Sequence, residues 1–120
     1  MKIQVYSDVG GIATTALIDS GATVSFLPRE IAKNILALPT VTEDVDVQGA
    51  GSTFSCEIVE AKQVVLMKGV GRICYYEDVQ MYVPKAPVEL PYAILGRDTI
   101  FGDFEITFRE WEKRFKLKER

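Results

Sequence analysis

Apolar and polar residues alternate along most of this chain, a period of two that predicts strands rather than helices. Lys2 to Tyr6 places Ile3 and Val5 on one side, and Asp8-Val9-Gly10-Gly11 reads as a hairpin turn into a second strand, Ile12 to Ile18. That strand runs Ala16-Leu17-Ile18 straight into Asp19, and Gly21 follows with the backbone freedom for a close turn. Val24 to Leu27 is again extended. Pro28 then suits a first helical position, with Glu30 in the first turn and Leu27, Ile31 and Ile35 at helical spacing, so a short helix is expected to about Leu36, closed by Leu38-Pro39.

Val41 to Gln48 alternates with its valines on one side only if the strand breaks near Glu43. Gly49-Ala50-Gly51-Ser52 then reads as a hairpin tip. Val64 to Met67, Arg72 to Tyr76 and Val79 to Val83 are further strands, with Lys68 to Gly71 and Glu77-Asp78 as the junctions. Pro84 to Pro91 is a proline-punctuated loop before a short buried strand, Tyr92 to Leu95. Asp98 is placed to cap a helical turn at Thr99-Ile100-Phe101, and a last hairpin carries Phe104, Ile106 and Phe108 on one strand and Phe115 and Leu117 on the other, turning at Glu110-Trp111-Glu112. With no helix longer than about three turns, the fold class is mainly β with one or two short helices.

Composition narrows the chemistry. At 120 residues, 48% of them hydrophobic, the chain suits one domain spanning 1–120. Its net charge of −3, with both signs interspersed, gives no footprint for nucleic acid. The basic tail Lys113 to Arg120 reads as a solvated strand face. No apolar run approaches the roughly 20 residues of a membrane span, and the chain starts directly as a strand, so the expectation is a soluble, cytoplasmic protein with no membrane partner. Cys56 and Cys74 fit neither a zinc site nor a disulfide framework and are expected to be reduced strand residues. There is no histidine at all, which excludes Ser-His-Asp and Cys-His catalysis and the commonest transition-metal ligand. Any acid–base chemistry must come from carboxylates, and the sequence calls for neither a cofactor nor a metal.

Asp19 is the carboxylate that stands out, because an acid carried to the end of a buried strand costs free energy unless its charge or proton is shared. Asp19-Ser20-Gly21-Ala22 after an apolar run, Gly49-Ala50-Gly51 thirty residues on, and Ile94-Leu95-Gly96-Arg97-Asp98 near the end resemble the retropepsin-like aspartic proteases in motif, order and spacing. The resemblance covers nearly the whole chain. It implies a closed β-barrel and an aspartic endopeptidase, with Asp19, Ser20 and Gly21 as the catalytic motif and Ser20 bonding across a dimer axis. It further implies a flap at Gly49, Ala50 and Gly51, a substrate pocket at Ala22, Val24, Phe26, Tyr92 and Ile94, and structural support from Ser25, Arg97 and Asp98. Retroviral members pair the arginine with an acid four residues after the catalytic Asp. Thr23 stands there in this chain, which leaves Asp98, a backbone carbonyl or another acid as the partner of Arg97.

Two carboxylates about 3 Å apart repel by roughly 5 kcal/mol at an effective dielectric near 20, so only one ionises and the pair holds a proton between them. The sequence has one such motif, so the resemblance implies a homodimer with one Asp19 from each chain, cutting a peptide or protein held extended. The alternative is a dimeric retropepsin-like module that binds peptides without efficient cleavage.

Overall fold

In a computed structural model, the structure describes residues 1–19, 21–49, 52–69, 71–99, 104–109 and 114–119. Alternation becomes strands where it was expected at the start of the chain. β1 (Lys2–Tyr6) pairs antiparallel with β2 (Gly11–Ile18), Lys2 opposite Thr15 and Tyr6 opposite Gly11. Ile3 and Val5 are fully buried, and Ala16 and Ile18 join them while Leu17 between is exposed. The turn closes through the Ser7 N–H to the Gly10 carbonyl (2.8 Å), with Gly10 at a φ of 156°. The Met1 ammonium donates to the Ala16 carbonyl (2.9 Å) and extends the pairing to the first residue.

β3 (Thr40–Gly49), β4 (Ser52–Lys68) and β5 (Gly71–Pro84) follow, then β6 (Ala93–Leu95). β4 is the spine, with β5 along one edge and, on the other, β3 beside its first half and β1 beside its second. The register of β3 on β4 shifts between Thr42 and Val45, the break that the valine pattern requires. Glu77-Asp78, expected as a junction, lies inside the unbroken β5. The continuous partner β4 carries the chain through, and Asp78 absorbs the irregularity at a φ of 51°, a left-handed position that aspartate tolerates better than most residues.

The helix α1 (Glu30–Ile35) follows Pro28 as expected but is wound as a π helix, the Leu36 N–H reaching back to the Ile31 carbonyl (2.9 Å). It buries Ala32 and brings Leu36 and Leu38 into a core with Leu27, Val59, Leu66, Met81, Val83 and Leu95. The expected turn at Thr99 to Phe101 lies largely outside the described residues. β7 (Phe104–Arg109) and β8 (Arg114–Glu119) form a separate two-stranded ribbon.

The expected closed barrel is not formed. The main sheet has six strands in the order β3-β4-β1-β2-β6, with β5 on β4, and β5 does not pair with β6. Between them, among the described residues, lies only the segment Ser25 to Leu27. Phe26 exchanges both backbone bonds with Ile94 (2.8 and 3.0 Å), while Tyr82 N–H donates to Ser25 and Leu27 N–H to Tyr82 (2.8 and 2.9 Å). This segment cannot grow into a closing strand, because Pro28 has no N–H to continue a ladder and the chain turns helical there.

Candidate functional site

The site is built where β2 ends. β2 runs parallel to β6, with Ala16, Leu17 and Ile18 opposite Ala93, Ile94 and Leu95, and the Asp19 N–H makes the last rung to the Leu95 carbonyl (3.1 Å). The chain then turns back, the Ala22 N–H bonding the Asp19 carbonyl (3.1 Å) and the Gly21 N–H donating to Asp19 Oδ1 (2.9 Å). The backbone thereby holds the carboxylate at the strand end, half-buried. Gly21 sits directly against this carboxylate. A β-carbon there would stand 3.2 Å from Asp19 Oδ1, which makes glycine the residue that leaves the carboxylate room.

The loop after β6 braces this turn. Arg97 N–H donates to the Ala22 carbonyl (2.9 Å) and Asp98 N–H to that of Thr23 (3.0 Å). Gly96 is packed so closely that a β-carbon would run into the Val24 carbonyl and stand 2.8 Å from that of Ala22. Beneath it Ser25, with no exposed surface, accepts from the Gly96 N–H (3.0 Å), donates to Asp98 Oδ1 (3.1 Å) and is hydrogen-bonded to the Thr99 hydroxyl (2.6 Å). Among the described residues Arg97 finds none of its expected partners. Its guanidinium donates to the hydroxyl of Thr23 (3.3 Å), the residue in the acid's place, a neutral contact at an exposed position.

Asp19 opens onto a cavity of about 710 Å³, and Gly21, Ala22, Val24, Phe26 and Ile94 line it with Thr23. Tyr92, two residues before Ile94 and just outside β6, is 39% exposed and does not line it. Gly49 ends β3, paired with Ser52. Ser20, Ala50 and Gly51 lie outside the described residues.

Several wall residues were not foreseen. Val45, Val47 and Phe54 come from the β3–β4 hairpin, Tyr82 from β5, and Val88 and Leu90 from the proline loop. The valines carried a signal in their alternation, and register puts Val47 opposite Phe54 on the same face. Nothing local distinguishes Tyr82, Val88 or Leu90. Phe26 ties the wall together, its ring centroid 6.1 Å from that of Phe54 and 6.0 Å from that of Tyr82.

The cavity is thus apolar with acids at two places, Asp19 and Asp46. Asp46 is one residue out of phase with Val45 and Val47, accepts from Ser55 on β4 (3.2 Å) and belongs to the other face of the hairpin. Cys56, buried opposite Val45, has its thiol pushed up to about 11 by burial and is no nucleophile at neutral pH. Among the described residues no group of acids and cysteines is arranged to hold a metal ion. Nor is any described helix long and apolar enough to cross a membrane.

A family profile described as aspartyl protease matches residues 5–99. Among solved structures, the chain is similar to the crystal structure of a retropepsin-like aspartic protease from Rickettsia conorii, at 13% identity and a TM-score of 0.59, over 91% of this chain and 74% of that one. No curated protein matches it by sequence.

Proposed function

Because the chain belongs to the aspartyl protease family and has a retropepsin-like fold, we propose that it is an endopeptidase whose dyad is assembled from two copies of Asp19. The observation that carries this reading is the placement of one carboxylate, held by its own turn at the end of β2, at the mouth of an apolar cavity large enough for peptide side chains. The other acid of the cavity wall, Asp46, lies on another face and has its own partner. The second carboxylate therefore comes from the same loop of another protomer, across a two-fold axis.

In that pair one carboxylate is ionised and the other holds the shared proton; aspartic proteases are the standard instance of such a dyad. The ionised member takes a proton from a water as its oxygen attacks the peptide carbonyl, and the protonated member donates to the carbonyl oxygen. Collapse of the resulting diol with proton transfer to nitrogen releases a carboxylic acid and an amine. No covalent intermediate and no metal are required. The β3–β4 hairpin supplies the roof. β3 is an edge strand whose outer N–H and C=O groups suit an extended peptide, while Val45, Val47 and Phe54 on one side and Val88, Leu90 and Ile94 on the other favour apolar side chains.

Asp19→Asn tests the reading. Nearly isosteric, it keeps an acceptor for the Gly21 N–H and removes the ionisable group. We expect a folded protein of unchanged oligomeric state that cleaves no member of a peptide library the wild type cleaves. Cleavage at a substantial fraction of the wild-type rate would end the proposal.

A further inference from the structure

The charged residues that line the cavity, Asp19 and Asp46, are both acids. A cation stands beside that wall. Arg97 is exposed, and its guanidinium donates to the hydroxyl of Thr23, a wall residue, at 3.3 Å. Arginine carries a fork of N–H donors, so a single neutral acceptor leaves its charge and most of the fork open to solvent. Among the described residues no carboxylate forms an ion pair with it. Its neighbour Asp98 instead accepts on Oδ1 from the hydroxyls of Ser25 and Thr99 (3.1 Å each). The side chain is nonetheless rooted in the braced part of the site, since the N–H groups of Arg97 and Asp98 are held by the carbonyls of Ala22 and Thr23.

We propose that Arg97 determines specificity by binding a carboxylate of the substrate at the Thr23 end of the cavity. The preferred peptides then carry an acidic group, either an Asp or Glu side chain or the C-terminal carboxylate, at a fixed distance along the chain from the bond that is cut. The inference rests on the endopeptidase reading above and adds a charged requirement to the apolar one. Three features of the site favour a carboxylate. The planar guanidinium matches it with two parallel charge-assisted hydrogen bonds, whereas a basic side chain would be repelled there. The Thr23 hydroxyl accepts from Arg97, which leaves its own proton to donate to the same anion. An acid placed elsewhere along the wall would meet Asp19 or Asp46, so charge complementarity sets the register in which an extended peptide is threaded.

Peptides built on one apolar sequence test this, with Glu, Gln or Lys placed at each position in turn and the C-terminus free or amidated. For the wild type, Glu at one position, or the free C-terminus, should raise kcat/KM roughly fivefold over its neutral counterpart, the scale of one exposed ion pair. Added salt should shrink that ratio. Arg97→Gln should bring it close to one, and Arg97→Glu should turn the preference toward Lys at the same position. Ratios unchanged in both variants would overturn the proposal, as would the absence of any preference in the wild type. So would an equal fall in turnover of acidic and neutral peptides, because Arg97 would then only hold the loop. If the wild type cuts none of the series, the endopeptidase reading fails, and calorimetric binding of the same peptides decides the role of Arg97. Tighter binding of the acidic than of the neutral peptide, lost in Arg97→Gln, upholds that role; equal affinity or no binding refutes it.

Discussion

Ser25 is a polar side chain with no exposed surface at the point where the loop carrying Asp19 meets the loop after β6. Its hydroxyl is the acceptor for the buried Gly96 N–H, so Ser25→Ala strands that donor at a cost of about 1–3 kcal/mol. We expect that loss in denaturant unfolding, together with reduced kcat, and recovery of most of both with Ser25→Thr, which restores the hydroxyl. Retention of full stability in Ser25→Ala would show that the loop finds another acceptor. Arg97 contributes less, because its partner is a neutral hydroxyl at an exposed place rather than a buried acid. Cys56 gives a pH prediction. Its thiol is raised from 9.0 to about 11 in the folded chain, so above pH 9 the unfolded state loses its proton first and stability falls as pH rises toward 11. The slope is up to about 1.4 kcal/mol per pH unit. Cys56→Ala should unfold with a shallower alkaline slope than wild type, measured as the difference between the two curves.

At the scale of elements, three residues of extended chain bridge β5 and β6 without closing the sheet. Phe26 is 8% exposed, links β5 to β6 through backbone bonds, and packs its ring between Phe54 and Tyr82. Phe26→Ala should cost about 3 kcal/mol, the low end for a buried phenylalanine, because one side of the ring already borders the cavity. The backbone bonds survive that substitution, so the site loop should persist with a widened pocket. Turnover of a peptide series should therefore move toward bulkier side chains, and an unchanged ranking would remove Phe26 from the specificity pocket. The hairpin of β3 and β4 is the other element that defines the site. It presents Val47 and Phe54 toward the cavity because their register positions coincide, and the shift between Thr42 and Val45 sets the phase.

For the whole molecule, the proposed shared dyad would make activity a property of two chains. With half the acid–base pair in each protomer, specific activity should fall on dilution through the dimer dissociation range, with initial rates rising faster than linearly with enzyme concentration. Rates measured beside sedimentation across that range check it directly. Full activity in a sample that sediments as a monomer would contradict the shared site.

Strands, the first hairpin and the acid at the end of β2 were legible in the sequence because each is a local pattern: a period of two, a glycine turn, a carboxylate after an apolar run. The break in β3 was legible for the same reason, since only a shift in phase puts Val45 and Val47 on one face. Other features depended on residues far apart in the chain. β5 runs through Glu77-Asp78 because β4 supplies an uninterrupted partner, and the sheet stays open because Pro28 stops the segment between β5 and β6. Arg97 turned to the Thr23 hydroxyl that the folded loops set beside it, and Tyr92 fell outside a pocket that Tyr82, Val88 and Leu90 entered. Periodicity assigns a residue to a face of its own strand, but which faces enclose a cavity is decided only when the elements pack.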